Sequence, residues 1–224
     1  MQPAAKLPPA PEPYHPPLGP IAILHRDAML LVVDKPPGLL SVPGKAAGAS
    51  DCLIARLHRM DGETRLVHRL DRDTSGVMVF ARCARAQRHL GRQFERRYVE
   101  KRYVARVAGR LEGAGEVDLP LCADWPNRPR QRVSHAQGRP ALTRWEVLGH
   151  DGASTRVALT PLTGRAHQLR VHMAELGHPI LGDPLYGPVY AGPQAERLML
   201  HAERLAFRHP DGGAPVAFAR PAPF

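Results

Sequence analysis

A chain of 224 residues with 43% hydrophobic content is long enough to bury one sizeable core, and its length favours a single domain. Lysine and arginine outnumber the acids 31 to 21, a balance of +10 that makes a polyanion the natural partner. No run approaches the roughly 18 apolar residues that span a bilayer, and the first twenty residues lack the apolar stretch of a signal peptide, so a cytoplasmic protein without membrane contact is expected. Cys52, Cys83 and Cys122 are widely spaced and in no CxxC pattern, which points to reduced thiols and away from a disulfide framework or a zinc site.

Residues 1–19 hold seven prolines and are expected to form a mobile tail ahead of one domain over 20–224. From Ile21, "IAILHRD" and "MLLVVDKP" read as paired strands, and "KPPGLLSVPG" as turn punctuation around a short extended piece. "DCLIARLHRM" carries Leu53, Ile54, Leu57 and Met60 at helical spacing. "VMVFA" after Gly76 is too short for a helix and reads as a buried strand.

The stretch 84–97 predicts a helix, with Ala86, Leu90 and Phe94 as its inner stripe and Arg85, Arg88, Arg92 and Arg96 along a cationic flank. "YVEKRYVARVAGR", "TRWEVLG" and "TRVALTPL" have the β-branched, alternating character of strands. The stretch 163–179 carries helix signals at both ends, Thr163 as an N-cap candidate and Gly177 then Pro179 as a stop. Strands outnumber helices and most neighbours read as antiparallel partners. The expected class is α+β, a single domain with a mixed, mainly antiparallel sheet flanked by helices and loops.

Charge is concentrated in two places. From Arg82 to Arg110 there are ten Lys/Arg against Glu95 and Glu100, and from Trp125 to Arg144 five arginines against no acid. The second stretch reads as a loop, leaving Arg128, Arg130 and Arg132 free to reach phosphates, so RNA or DNA is the expected partner. At 5% aromatic content, long stacking platforms for single strands are disfavoured.

The most unusual segment is "HRLDRDTSG", 68 to 76. Asp71 follows an apolar leucine and is flanked by Arg69 and Arg72. Asp71 and Asp73 at alternate positions of an extended segment point to opposite sides, which weakens a metal reading. "DRDTS" also resembles the start of aspartyl-phosphate phosphatases, but the alternation of strands and helices those enzymes need is missing. A lone carboxylate acting as nucleophile or electrostatic partner, and a plain surface ion pair with an adjacent arginine, both remain open on the residues alone. His68, His167 and His172 match no metal-ligand spacing.

The chain resembles the RluA family of pseudouridine synthases, whose HRLDxxTSG signature stands complete at His68 to Gly76. The likeness continues through "VVDKPPGLLSVPG", "KRYVARV", "TGRAHQLRVHMAELGHPILGD" and "LMLHAERL". "CADWPNRPRQRV" with "GRPALT" is similar to the subgroup that modifies both 23S ribosomal RNA and a tRNA anticodon stem-loop.

The resemblance implies a pseudouridine synthase catalytic domain without the S4-type RNA-binding domain of many relatives, working as a monomer without a cofactor. It makes Asp71 the essential carboxylate, Arg165 the arginine that ion-pairs with it, with His167 and His172 as helix positions supporting Arg165, and Tyr103 the aromatic that packs on the target base. On the substrate side it places His68, Arg69 as the arginine entering the helix stack where the nucleotide leaves, and Leu200 as the apolar wall of the base pocket. Arg128, Arg130 and Arg132 would hold the RNA backbone.

Overall fold

The computed structural model describes residues 14–44, 48–187 and 195–224. In chain order the elements are β1 (Ala22–Arg26), β2 (Leu30–Lys35), α1 (Leu53–Asp61), β3 (Arg65–Leu66), β4 (Ser75–Ala81), α2 (Ala84–Glu95), β5 (Glu100–Ala108) and β6 (Ala114–Asp118). Then follow β7 (Leu121–Ala123), a 3-10 turn (Trp125–Asn127), β8 (Gln131–Val133), β9 (Leu142–Asp151), β10 (Ser154–Pro161), α3 (Gln168–Glu175), β11 (Leu200–Arg208) and β12 (Pro215–Ala219).

One large sheet runs β1-β2-β4-β11-β5-β10-β9-β6, with β12 on β11 and β3 on β4. Among the described residues β4 and β11 are its only parallel neighbours, so the sheet is mixed and mainly antiparallel, the α+β class expected. β7 and β8 form a separate two-stranded hairpin.

The central strands read as continuous apolar runs because both their faces are covered. All seven residues of β4 are buried. Leu31, Val33, Met78 and Phe80 pack with Leu53 and Leu57 of α1 on one face, and Leu30, Val32, Val77 and Val79 pack with Ala86 and Leu90 of α2 on the other. A third cluster joins Val107, Leu159 and Leu200 to Leu169 and Met173 of α3. β9 is solvated on one face and alternates accordingly.

Gly76 opens the contact between β4 and β11. Its φ is +117°, and a Cβ there would lie 2.3 Å from the Ala202 carbonyl oxygen and 2.6 Å from the Ala202 nitrogen. Only glycine fits that approach. Ser75 and Gly76 therefore begin a buried strand.

Three expectations need correction. The expected tail is anchored over its described part: the Tyr14 hydroxyl donates to the Asp51 carbonyl at 2.9 Å and accepts the Leu40 N–H at 3.0 Å, and Arg56 donates to the Pro17 carbonyl at 2.9 Å. Residues 1–13 of that expectation lie outside the described residues. Helix α3 begins at Gln168 with His167 at its N-cap, because the Thr163 hydroxyl is already engaged: it accepts the Leu142 N–H and donates to Gln168 Oε1. The arginine-rich stretch after Trp125 is folded as a 3-10 turn and β8, not as a free loop.

Candidate active site

Asp71 stands on the connection between β3 and β4, and the polypeptide around it is fixed from beneath. Leu70 is buried in the α1-side core. Its carbonyl accepts the Ser41 hydroxyl at 2.6 Å. Lys35, fully buried, donates its three ammonium hydrogens to the carbonyls of Pro36, Leu39 and Arg72 at 2.7 to 2.8 Å. Burial pushes its pKa down to about 7, against the pull of Asp73 and Asp71. The leucine inside "HRLDRD" is thus an anchor that lets the neighbouring carboxylate project without the loop moving. Lys35, where the strand "MLLVVDKP" runs into the punctuation "KPPGLLSVPG", supplies the matching clamp.

Above this loop lies a cleft of about 210 Å³ lined by His68, Arg69, Asp71, Phe94, Lys101, Tyr103, Arg165, His167, Arg170 and Leu200, among others. That is below the roughly 300 to 1,000 Å³ of ordinary small-molecule sites, and suits one flipped base. Seven residues singled out from sequence, His68, Arg69, Asp71, Tyr103, Arg165, His167 and Leu200, therefore meet around a single space. Leu200 is buried and gives it an apolar wall.

The expected Arg165–Asp71 pair is not formed. Arg165 turns its Nε to the Pro140 carbonyl at 3.0 Å, and its pKa is lowered by burial and by the neighbouring Arg139 and Arg97, a cationic surrounding. The cation facing Asp71 is Arg170, whose NH1 lies 3.6 Å from Asp71 Oδ2. Arg170 is held from behind by Asp183 through two bonds of 2.7 Å, both side chains being buried. The reason is helical geometry. Arg165 precedes α3, its backbone N–H donating to Gln168 Oε1, whereas Arg170 is the third residue of the helix and turns its guanidinium toward Asp71.

His167 adopts a left-handed conformation at φ 53° and brings its Nε2 to 3.9 Å from Asp71 Oδ2, so it serves the carboxylate directly and does not support Arg165. His172 is structural: its ring meets the Thr143 hydroxyl at 2.9 Å and the Leu119 carbonyl at 3.0 Å. His68 stacks on Phe94 with ring centroids 4.6 Å apart, and its Nε2 accepts the Val79 N–H at 3.1 Å. Enclosure, aided by Lys101, holds its pKa near 3, so the ring is neutral and forms part of the wall.

Tyr103 projects into the cleft from β5. Its phenol pKa is raised by burial and by the Asp71 charge, so it keeps its proton. Arg128, Arg130 and Arg132 lie outside the cleft on the β7–β8 hairpin. Arg128 stacks over Trp125 at 3.5 Å and Arg130 lies 5.2 Å from the Tyr186 ring.

Sequence reading missed Arg170, Lys35, Lys101, Phe94 and Asp183. The trace of Arg170 in the sequence is that "GRAHQLRVHM" carries a second arginine, five residues after Arg165, inside the predicted helix.

Comparisons with known proteins identify the family. The family model for RNA pseudouridylate synthase matches residues 29–175. Dual-specificity RNA pseudouridine synthase RluA of Escherichia coli K12 is 50% identical over 216 residues, covering 95% of this chain and 99% of that protein. The protein of the same name from Pasteurella multocida is 49% identical over 214 residues, covering 94% and 98%. Among solved structures, human RNA Pseudouridylate Synthase Domain Containing 1 superimposes with a TM-score of 0.75 at 32% identity, covering 92% of this chain and 84% of that one. Human RNA Pseudouridylate Synthase Domain Containing 4 gives 0.72 at 28%, covering 90% and 88%. With its signature carboxylate, its arginine and its tyrosine gathered in one base-sized cleft, the chain belongs to the RNA pseudouridylate synthase family.

Proposed function

We propose that this protein isomerises uridine to pseudouridine within stem-loops of both large-subunit (23S) ribosomal RNA and tRNA, acting as a monomer, with Asp71 as its essential carboxylate. The observation that carries the reading is the placement of Asp71 on a rigid loop, facing Arg170 and Tyr103 across a cleft too small for more than a base.

The reaction breaks the bond between the ribose C1′ and uracil N1, turns the ring, and forms a bond from C1′ to C5. N1 gains a proton and C5 loses one, so atoms balance without an oxidant or a cofactor. A uridine inside a helix reaches Asp71 only when flipped out, at a cost of a few kcal/mol. Arg69, exposed at the cleft's mouth, is placed to occupy the vacated stack. Inside, Leu200 and Tyr103 pack the base. Tyr103, whose phenol pKa is raised by burial and by Asp71, offers the base a hydrogen-bond donor. Arg170 sets a cation beside the Asp71 carboxylate, 3.6 Å from Oδ2, with the guanidinium plane fixed from behind by Asp183. Arg165, Arg139 and Arg97 form a cationic rim suited to the phosphates flanking the flipped nucleotide.

The test is to incubate unmodified 23S ribosomal RNA and tRNA transcripts with the protein and map pseudouridine by carbodiimide-dependent reverse-transcription stops. Asp71→Asn, nearly isosteric, should bind RNA within a few fold of wild type and give no stops. Stops with the asparagine protein would refute Asp71's role, and stops in one RNA class alone would refute dual use.

A further inference from the structure

Tyr186 lies outside the cleft lining, yet both basic side chains that face Asp71, His167 and Arg170, converge on it. The Gln131 N–H of β8 donates to the Tyr186 hydroxyl oxygen at 2.7 Å. That leaves the phenolic hydrogen for His167 Nδ1, 2.8 Å away. Burial raises the phenol's pKa, so the hydrogen is there to give. With Nδ1 accepting, the hydrogen-bond network assigns the proton of neutral His167 to Nε2, the nitrogen facing Asp71.

The rest of the residue is tied to the same cluster. The Tyr186 N–H donates to Asp183 Oδ1 at 3.1 Å, and Asp183 holds the fork of Arg170. Its ring lies 5.2 Å from the guanidinium of Arg170 and 5.2 Å from that of Arg130 on the basic hairpin. It also meets the His167 ring edge-on at 5.7 Å.

We propose that Tyr186 is a positioning residue for the reaction, whose hydroxyl sets the tautomer and angle of His167 against Asp71 and joins that cluster to the β7–β8 hairpin. The inference rests on the pseudouridine synthase reading, since it supposes Asp71 chemistry to be what the cluster serves. Tyr186 never touches substrate. It acts through His167, as an outer partner fixes a histidine that works on something else.

The decisive variant is Tyr186→Phe, which keeps the ring packing and removes only the hydroxyl. Release of tritium from a stem-loop carrying [5-³H]uridine is followed in single turnover, with enzyme in large excess. The rate constant at saturation is then unaffected by any unfolded fraction. Wild-type turnover tests the enzyme reading itself, and its absence would sink that reading before Tyr186 is in question.

Given wild-type turnover, Tyr186→Phe should lower the saturating rate at least tenfold while the Kd for the stem-loop shifts less than threefold. The double variant with His167→Asn, which tolerates the left-handed backbone, should be no slower than His167→Asn alone. A normal rate in Tyr186→Phe overturns the proposal. So does a loss confined to Kd, which would make Tyr186 part of the RNA-binding surface, and so does a double variant whose losses multiply, which would separate Tyr186 from His167.

Discussion

Arg170 approaches Asp71 to 3.6 Å with one guanidinium nitrogen while the opposite edge is clamped by Asp183 at 2.7 Å, so a single buried cation is shared between two carboxylates. The tight, two-bond contact to Asp183 sets the plane of the guanidinium. The looser one leaves Asp71 room to move toward a sugar or base. A lysine in the same place would neutralise charge but hold no plane.

Arg170→Lys should therefore lower the saturating single-turnover rate by about 10²-fold, the usual cost of misplacing a reacting group by an ångström, with Kd little changed. Arg165→Lys, whose side chain bonds a backbone carbonyl at the rim, should leave that rate within a few fold. Arg170→Met should cost about 3 to 5 kcal/mol of stability, because Asp183 is then buried and unpaired. If Arg165→Lys proves the slow variant and Arg170→Lys the normal one, the assignment of the two arginines is reversed.

His68 makes a pH prediction. In the folded protein its Nε2 accepts the Val79 N–H and its pKa is held near 3, whereas an unfolded imidazole titrates near 6.5. Between those values the unfolded chain binds the extra proton, so stability falls as pH falls. Chemical denaturation at pH 6.5 and 4.5 should show wild type losing about 2 kcal/mol more than His68→Gln, which keeps an acceptor but does not titrate. Equal losses in the two proteins would mean that His68 is charged in the native state.

Much of this was legible in the chain. Continuous apolar runs became the central strands, and the Ala86, Leu90, Phe94 stripe became the inner face of α2. The cleft's acid, tyrosine and leucine were visible through the family resemblance of the motifs that hold them. What could not be read is set by contacts distant in sequence. The partner of Asp71 depends on where α3 begins, and that depends on Gln168 bonding Thr163, Leu142 and Thr143 across the β9 connection. The burial of Lys35 depends on three carbonyls, one of them 37 residues away. Local composition carries no trace of the second and, of the first, only the presence of a second arginine in the predicted helix.

Gly76→Ala isolates the β4–β11 contact from the chemistry nearby. A methyl there meets the Ala202 backbone at 2.3 Å, and φ of +117° disfavours any side chain. The variant should lose about 3 kcal/mol or more of stability in denaturant titration. A near-wild-type midpoint would show that β4 and β11 can part without loss.

The basic hairpin supplies the last prediction. Arg128 and Arg130 pack against the rings of Trp125 and Tyr186, and β8 pairing with β7 fixes the backbone of Arg132, so the hairpin carries three cations in an array. Their array needs no base contacts to hold a folded backbone, and each neutralised phosphate adds roughly 0.7 to 0.9 to the slope of log K against log salt. Replacing all three with glutamine should reduce the slope by about 2 to 3 and weaken ribosomal and tRNA stem-loops alike. It should leave the saturating single-turnover rate near normal on a minimal hairpin, because Asp71, Tyr103 and Arg170 are untouched. The same target sequence kept unfolded should react far more slowly than the hairpin. An unchanged slope, or a linear oligonucleotide modified as fast as the hairpin, would mean that the array does not read folded RNA.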